Sequence, residues 1–234
     1  MTDGGSGTGR PFGHPGGPVA PKSGGDPRPE SLRSPSIRSP AAGGDQGEVP
    51  MDEGTMIRLK EMHLAPYIQL ATALIGKRRR SGGNMFRHQI DTMAILMDYG
   101  YIDSILLKAS TIHDLVEDVP DLDPDSILSI DEESAEIYKL VLEVTRRPVE
   151  SKQDFLGRIL EFGSTRAKVL KCADRISNMI SLGYVTDIAF VRRYTDETED
   201  LIFPIADHVD VAMAAELRDL VATRRQYLNL ISTH

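Results

Sequence analysis

Apolar residues beyond position 51 recur at the three- to four-residue spacing of amphipathic helices, and no segment alternates long enough to predict a strand. Gly100 ends one of the predicted helices, and Pro120 closes the next. The predicted helices cover about 52–76, 84–98, 102–118, 131–145, 151–161, 164–182, 187–207 and 210–232. The pattern therefore predicts an all-α domain over residues 51–234.

Residues 1–50 have a different composition, with 12 of the chain's 20 glycines and 9 of its 14 prolines. Because this segment offers little apolar surface to bury, we predict a disordered N-terminal tail. Within it, "SLRSPSIRSP" repeats an S-x-R-S-P unit. A phosphorylation or docking segment and a compositionally biased linker both fit this repeat, and the composition favours the linker.

Charge and cysteine content narrow the class of protein. A net charge of −8 and a pI near 5.3 argue against a general nucleic-acid binder. The single cysteine, Cys172, excludes an internal disulfide framework and fits a reducing compartment. No apolar run approaches the roughly 18 residues of a membrane span, and the N-terminus lacks the apolar region of a secretory signal. We expect a cytoplasmic protein that contacts neither membrane nor nucleic acid, and the oligomeric state stays open.

One apolar run ends in an unusual group of polar side chains. The stretch "ASTIHDLVEDVPD" places His113, Asp114, Glu117 and Asp118 within six residues. At positions i, i+1, i+4 and i+5 of a helix these groups lie on one side. Crowded carboxylates repel one another unless water or a cation offsets the charge, which makes a metal ion a candidate.

Two more residues, His88 and Asp174, complete a candidate metal site with His113 and Asp114. Two imidazoles and two carboxylates without a thiolate suit Mn²⁺, Fe²⁺, Co²⁺ or Zn²⁺. Such an ion lowers the pKa of its bound water towards neutrality. The Glu117–Asp118 pair, one helical turn beyond the His-Asp pair, is then placed to act as general base and acid.

The polar arc that contains Asp174 also has a simpler interpretation. Asp174, Asn178 and Ser181 share one side of a helix, opposite an apolar arc that includes Cys172 and Ile180. From periodicity alone, the polar arc is interpreted as a solvated surface.

Basic residues near these positions suggest an anionic substrate. The run 77–80 precedes His88, and Lys171 and Arg175 flank Asp174. In an acidic protein, cations beside a metal indicate a phosphate or pyrophosphate group. A solvated basic loop at a helix end is the alternative, and for Arg78 both interpretations stay open.

Four segments in order, "RHQIDTMAIL", "ASTIHDLVEDV", "LEVTRRP" and "VLKCADRISNM", resemble the HD-domain hydrolases of the alarmone (p)ppGpp. This domain is the hydrolase half of RelA/SpoT enzymes and also occurs as stand-alone small alarmone hydrolases. "RYTDETEDLIFPIADHV" is similar to the segment after that family's fourth ligand, and the resemblance spans roughly 55–208. It implies an HD-domain helical bundle. Because the chain ends soon after 208, we expect a hydrolase without a synthetase domain.

The resemblance also implies roles for individual residues. The metal, usually Mn²⁺, would be held by His88, His113, Asp114 and Asp174, with Glu117 and Asp118 positioning and activating the attacking water. The residues implied to contact a guanine nucleotide substrate are Arg79, Ser81, Asn178 and Ser181. The implied reaction releases pyrophosphate from the ribose 3′ position and leaves GDP or GTP.

The chain departs from the family pattern at a few positions. Gln89 stands where proline is usual, Ser177 where histidine is usual, and Ile180 where arginine is frequent, while the aromatic before the first ligand is displaced in Met85-Phe86. We expect none of these residues to touch the ligands, so that metal binding survives. We expect Ile180 and Ser181 to line the nucleotide side of the pocket, which puts substrate preference in question.

Two alternative functions stay open, and the departures at Ile180 and Gln89 motivate the first of them. One is an HD-domain phosphatase acting on a nucleotide or on NADPH. The other is a non-catalytic module that binds alarmone or a partner, with the tail as its interaction segment. The intact Glu117–Asp118 pair argues against this second alternative, since a binding module needs no general base.

Overall fold

A computed structural model describes residues 52–232, except for the side chain of Ser232. Within this range the chain forms helices, and its only β-type pairing is an isolated bridge between Arg78 and Asn84. The helices are α1 (Glu53–Glu61), α2 (Ala65–Ala71), α3 (Met85–Asp98), α4 (Ser104–Ile112), α5 (Leu115–Asp118), α6 (Asp125–Leu128), α7 (Ser134–Val144), α8 (Lys152–Phe162), α9 (Thr165–Ser181), α10 (Ile188–Glu197), α11 (Phe203–Val209) and α12 (Val211–Ser232). The predicted all-α fold is confirmed, while the predicted tail, 1–50, lies outside the described residues.

Three of the predicted helices are interrupted. The first breaks between α1 and α2, where Met62 is extended and Pro66 occupies the first turn of α2, the position at which proline is tolerated. The helix predicted over 102–118 breaks at His113 and Asp114. The helix predicted over 187–207 contains a π-helical turn, Thr198–Ile202. The short helix α6 had no counterpart in the sequence prediction.

The main core is built around α3, α4 and α9. The helix α3 packs along α9 and against α4, and α4 also packs against α2 and α7. Every residue of α4 from Leu106 to Ile112 is buried, so this helix is enclosed on all sides. These three helices bring His88, the His113–Asp114 pair and Asp174 to the same interior region.

Side-chain caps fix where these helices begin. Asn84 accepts a hydrogen bond from Arg87 N at 2.8 Å, Asp103 accepts from Leu106 N at 2.8 Å, and Ser164 accepts from Ala167 N at 3.2 Å. Gly82 and Gly83 precede the first cap with φ of 92° and 73°, backbone conformations that favour glycine. The caps therefore help to set the register of the candidate site residues.

A second, smaller apolar cluster joins the end of α9 to α10 and α12. Its buried residues are Met179, Leu182, Val185, Val191, Val221 and Leu228. The helix α12 packs along α9, so the last helix covers the helix that carries Asp174.

No helix within residues 52–232 combines the length and hydropathy needed to cross a membrane.

Candidate metal centre

Three of the predicted ligands converge in the interior. His88, His113 and Asp174 are 1%, 3% and 5% exposed, and one potential ligand atom from each lies within 4.8 Å of the others. His88 Nε2 is 2.9 Å and His113 Nε2 is 3.9 Å from Asp174 Oδ1. Two ligand atoms that bind one ion through bonds of about 2.1 Å lie roughly 3–4 Å apart, depending on the angle between the bonds, so the cluster has suitable dimensions.

Asp114 brings a second carboxylate to the same two imidazoles. Its Oδ2 lies 3.3 Å from His113 Nε2 and 3.6 Å from His88 Nε2. Asp114 occupies the break between α4 and α5 and is half-buried. The four side chains predicted as ligands therefore form one group of two nitrogens and two carboxylates, referred to below as the ligand cluster.

The hydrogen bonds of His113 leave one ring nitrogen directed at this cluster. Its Nδ1 lies 2.8 Å from the carbonyl oxygen of Ser110, which can only accept, so Nδ1 is the donor. In the neutral ring, Nε2 then carries the lone pair. This Nε2 is buried without a hydrogen-bond partner, although two carboxylates lie nearby. Such an atom fits a metal ligand, because buried polar atoms are otherwise nearly always paired.

The electrostatic field of the cluster favours a cation. Burial by itself would lower the pKa of His113, but the charges of Asp114 and Asp174 outweigh it and raise that pKa. For His88, burial is the larger effect and lowers the pKa despite Asp174 and Asp114. Burial would raise the pKa of Asp174, yet Lys171 and the two histidines hold it well below its usual range.

The prediction that the departures from the family pattern avoid the ligands is wrong at two positions. Gln89 Nε2 donates to Asp114 Oδ2 at 2.8 Å, and Ser177 Oγ lies 2.9 Å from His88 Nδ1. Gln89 reaches Asp114 because α3 packs on α4, a contact that sequence periodicity does not specify. The i+3 spacing of Ser177 from Asp174 could have placed it on the ligand side of α9.

The solvated-surface interpretation of the polar arc on α9 is also wrong. Asp174 and Ser181 are 5% and 4% exposed, whereas Ile180, assigned to the apolar arc, is 42% exposed. The reason is that α3 and the loop before it cover the polar side of α9, as the contacts of Arg79 show.

Hydrogen bonds extend the cluster towards the predicted nucleotide side. Arg79 Nη2 donates to Asn178 Oδ1 at 2.6 Å, and Asn178 Nδ2 donates to Asp174 Oδ1 at 2.6 Å. Arg79 Nη1 also lies 3.5 Å from Ser181 Oγ. Ser81 is buried in the same loop as Arg79. Burial lowers the pKa of the Arg79 guanidinium, an effect that Asp174 opposes.

The predicted Glu117–Asp118 pair lies on the short helix α5. Glu117 is exposed, and Lys77 Nζ donates to Asp118 Oδ1 at 2.5 Å and to the Asp118 carbonyl oxygen at 2.9 Å. Within residues 52–232, neither of these carboxylates makes a hydrogen bond or an ion pair with the ligand cluster. Their catalytic roles stay predictions, and no sequence pattern indicated that Lys77 would bind Asp118.

The two cations that flank Asp174 point in different directions. Lys171 Nζ lies 2.6 Å from Asp174 Oδ2. Arg175 turns to the other side of α9, where it pairs with Glu197 at 2.6 Å and lies 4.2 Å from the ring centroid of Tyr194. Of this flanking pair, only Lys171 adds positive charge directly to the ligand cluster.

Comparison with known proteins supports the fold. A scan against protein-family models and a search of curated proteins both give no match. Among solved structures, a metazoan ortholog of SpoT, described as hydrolysing ppGpp and playing a role in starvation responses, matches with a TM-score of 0.57. The two share 22% sequence identity, and the match covers 69% of this chain and 94% of that one. The resemblance to HD-domain (p)ppGpp hydrolases is thus confirmed at the level of the fold.

Proposed function

We propose that this chain is a metal-dependent hydrolase that removes the 3′-pyrophosphate of (p)ppGpp, giving GDP or GTP and pyrophosphate. The observation that carries the proposal is the ligand cluster, in which buried His113 Nε2 has no hydrogen-bond partner and faces Asp114 and Asp174. A purely structural histidine at that depth would be expected to use both ring nitrogens.

Four residues would hold the ion: His88, His113, Asp114 and Asp174. A bound divalent ion supplies a Lewis acid and an activated water. Mn²⁺ is the ion we propose, since the mixed nitrogen and oxygen donors suit it and the family resemblance implies it.

The chain's own residues then complete the chemistry. Glu117 is exposed, so its carboxylate is open to accept a proton from the attacking water. Asp118, oriented by Lys77, would deliver a proton to the ribose 3′ oxygen as its bond to phosphorus breaks, so that the 3′-hydroxyl of GDP or GTP is restored. Arg79, Ser81, Asn178 and Ser181 would bind the guanine nucleotide.

An anionic nucleotide fits the charges around the cluster. Lys77 and Arg79 belong to one loop, and hydrogen bonds join this loop to Asp118 on one side and to Asn178 on the other. Guanidinium and ammonium groups stabilise the negative charge of a phosphoryl group. The solved SpoT ortholog, described as hydrolysing ppGpp, has the same fold, which supports this choice of substrate.

Phosphorus NMR of the purified full-length chain with ppGpp, with and without Mn²⁺, tests the reaction. We expect pyrophosphate and GDP to appear only with the metal. Orthophosphate instead would move the assignment to a phosphatase, and a parallel NADPH sample would identify that alternative. Absence of turnover with Mn²⁺, Fe²⁺, Co²⁺ and Zn²⁺, combined with protection against heat by ppGpp, would favour the non-catalytic module.

Substitution of the proposed proton-transfer groups tests their roles. We expect Glu117→Gln to lower kcat by about 100-fold or more without changing Mn²⁺ affinity, since general acid–base groups contribute about 10²–10⁴-fold. Glu161→Gln, at an exposed position on α8, is the control. A Glu117→Gln variant with wild-type kcat would contradict the assignment.

A further inference from the structure

Gln89 is a polar side chain with no exposed surface that contacts a predicted metal ligand through both ends of its amide. It follows His88 on α3 and is 0% exposed. Its Nε2 donates to Asp114 Oδ2 at 2.8 Å, and its Oε1 accepts from Asp114 N at 3.4 Å. A buried amide is costly unless both of its ends are paired, and here one residue pairs both.

The location of Asp114 explains what such a contact achieves. Asp114 lies at the break between α4 and α5, so a continuous helix does not hold its backbone on both sides. Its side chain is 22% exposed and therefore has room to rotate towards solvent. The two hydrogen bonds that Asp114 makes with Gln89, one accepted by its carboxylate and one donated by its backbone N–H, restrict both groups.

The same contact orients the carboxylate. The oxygen that accepts from Gln89, Oδ2, is also the one that lies 3.3 Å from His113 Nε2 and 3.6 Å from His88 Nε2. A carboxylate oxygen has two lone pairs, so a donor on one side leaves the other side for a cation. Glutamine at this position thus directs Asp114 towards the two imidazoles.

We propose that Gln89 is a positioning residue of the metal centre, which holds Asp114 in its ligating orientation before the ion binds. The inference rests on the proposed metal-dependent function. Gln89 does not bind the ion itself; it lowers the conformational cost of recruiting Asp114. Hydrogen-bond partners of metal ligands typically change metal affinity by about 10- to 100-fold when they are removed.

Mn²⁺ alone is a suitable probe, because electron paramagnetic resonance of the free aqueous ion gives the bound fraction directly. The full-length chain is titrated as wild type, as Gln89→Met and as Gln69→Met. Methionine has nearly the volume of glutamine but cannot pair with Asp114. Gln69 is exposed on α2 and serves as the matched control.

We expect Gln89→Met to weaken Mn²⁺ binding by about 10- to 100-fold and Gln69→Met to leave it unchanged. If Gln89→Met does not fold, as judged by circular dichroism, Gln89→Asn replaces it, since the shorter amide cannot reach Asp114. Wild-type affinity in the folded variant would overturn the inference.

A double-mutant cycle separates this role from general packing. In an Asp114→Ala background, Gln89→Met should have no further effect, since the residue it positions is gone. An equal loss of affinity in both backgrounds would overturn the inference while leaving the metal-dependent function intact. Failure of the wild-type protein to bind Mn²⁺ at all would instead remove the proposed function, and the inference with it.

Discussion

The imidazoles of the ligand cluster are held through the ring nitrogens that face away from the carboxylates. His113 Nδ1 donates to the Ser110 carbonyl at 2.8 Å, and His88 Nδ1 lies 2.9 Å from Ser177 Oγ. Ligating histidines usually donate their second ring N–H to a protein group, which fixes the ring orientation and the tautomer. At the residue scale, the Ser110 carbonyl thus leaves the lone pair of neutral His113 on Nε2, and Ser177 helps to hold the orientation of the His88 ring.

Ser177→Ala tests this preparation at His88. We expect Mn²⁺ affinity to fall by about 10-fold, because the His88 ring loses the hydrogen-bond partner at Nδ1 that holds its orientation. The control is Thr195→Val. It also removes a buried hydroxyl, but one that donates to the Val191 carbonyl and not to a residue of the ligand cluster. Isothermal titration with Mn²⁺ measures both variants, and equal affinities would show that Ser177 has no part in orienting His88.

At the element scale, the junction between α10 and the π-helical turn that follows it binds one buried cation. Arg175 on α9 donates to Glu197 Oε1 at 2.6 Å and to Thr198 Oγ1 at 3.0 Å. Glu197 ends α10 and Thr198 begins the π-helical turn, so the irregular backbone presents two successive side chains to one guanidinium. This contact secures α10 to the helix that carries Asp174.

Glu197→Ala should therefore destabilise the protein strongly. The side chain of Arg175 is only 2% exposed, and the substitution removes the carboxylate that pairs with its guanidinium. Breaking such a buried pair costs about 3–5 kcal/mol. The control is Glu199→Ala, which removes an ion pair with Arg225. The side chains of Arg225 and Glu199 are 37% and 48% exposed, so the loss of this pair should cost no more than about 1 kcal/mol. Urea unfolding gives both free energies, and similar losses would refute the distinction.

A second element-scale contact closes the loop between α7 and α8. Arg158 on α8 binds Glu150 through two hydrogen bonds of 2.7 and 3.0 Å and donates to the Glu143 and Thr145 carbonyls at the end of α7. The hydrogen bonds from Arg158 to the Glu150 carboxylate are the main reason that the pKa of Glu150 is lowered to about 2. A carboxyl whose pKa is lower in the folded state stabilises the protein above its unfolded pKa.

Glu150→Gln should consequently change how stability depends on pH. The contribution of Glu150 is fully present above its ordinary pKa, near 4.5, and is lost as pH falls towards about 2. We expect the variant to be less stable than wild type at pH 7, with the difference narrowing between pH 5 and pH 3. Urea unfolding at several pH values measures this, and a difference independent of pH would contradict it.

At the scale of the whole molecule, the ligand cluster joins three helices that are distant in sequence. His88 comes from α3, His113 and Asp114 follow α4, and Asp174 comes from α9. The unfolded chain does not hold these groups together, so an ion that binds them stabilises the folded state.

Saturating Mn²⁺ should therefore raise the melting temperature. An ion at 100 times its Kd adds about 2.7 kcal/mol, which corresponds to roughly 5–10 °C for a domain of this size. Asp174→Asn should abolish the increase, whereas Asp207→Asn, exposed and paired with Arg218, should retain it. Thermal denaturation followed by circular dichroism, with Mn²⁺ or with EDTA, provides the measurement. An unchanged wild-type melting temperature would count against a metal centre.

Local patterns of residues were enough to predict the helical class, the approximate extent of most helices and the identity of the candidate ligands. Helical periodicity is a local property, and so are the glycine, proline and capping signals that end a helix. The combination of His88, His113, Asp114 and Asp174 was recognisable because few residue types bind metal ions. The functional roles of all the predicted site residues stay predictions, as does the tail at 1–50.

Tertiary packing, by contrast, determines which neighbours touch those candidate ligands. It brought Gln89 to Asp114 and Ser177 to His88, turned Lys171 towards Asp174 and Arg175 away from it, and buried the polar side of α9. These outcomes depend on the rotation and packing of α3, α4 and α9 against one another. Periodicity defines the faces of each helix, but contacts between residues far apart in sequence determine what each face meets.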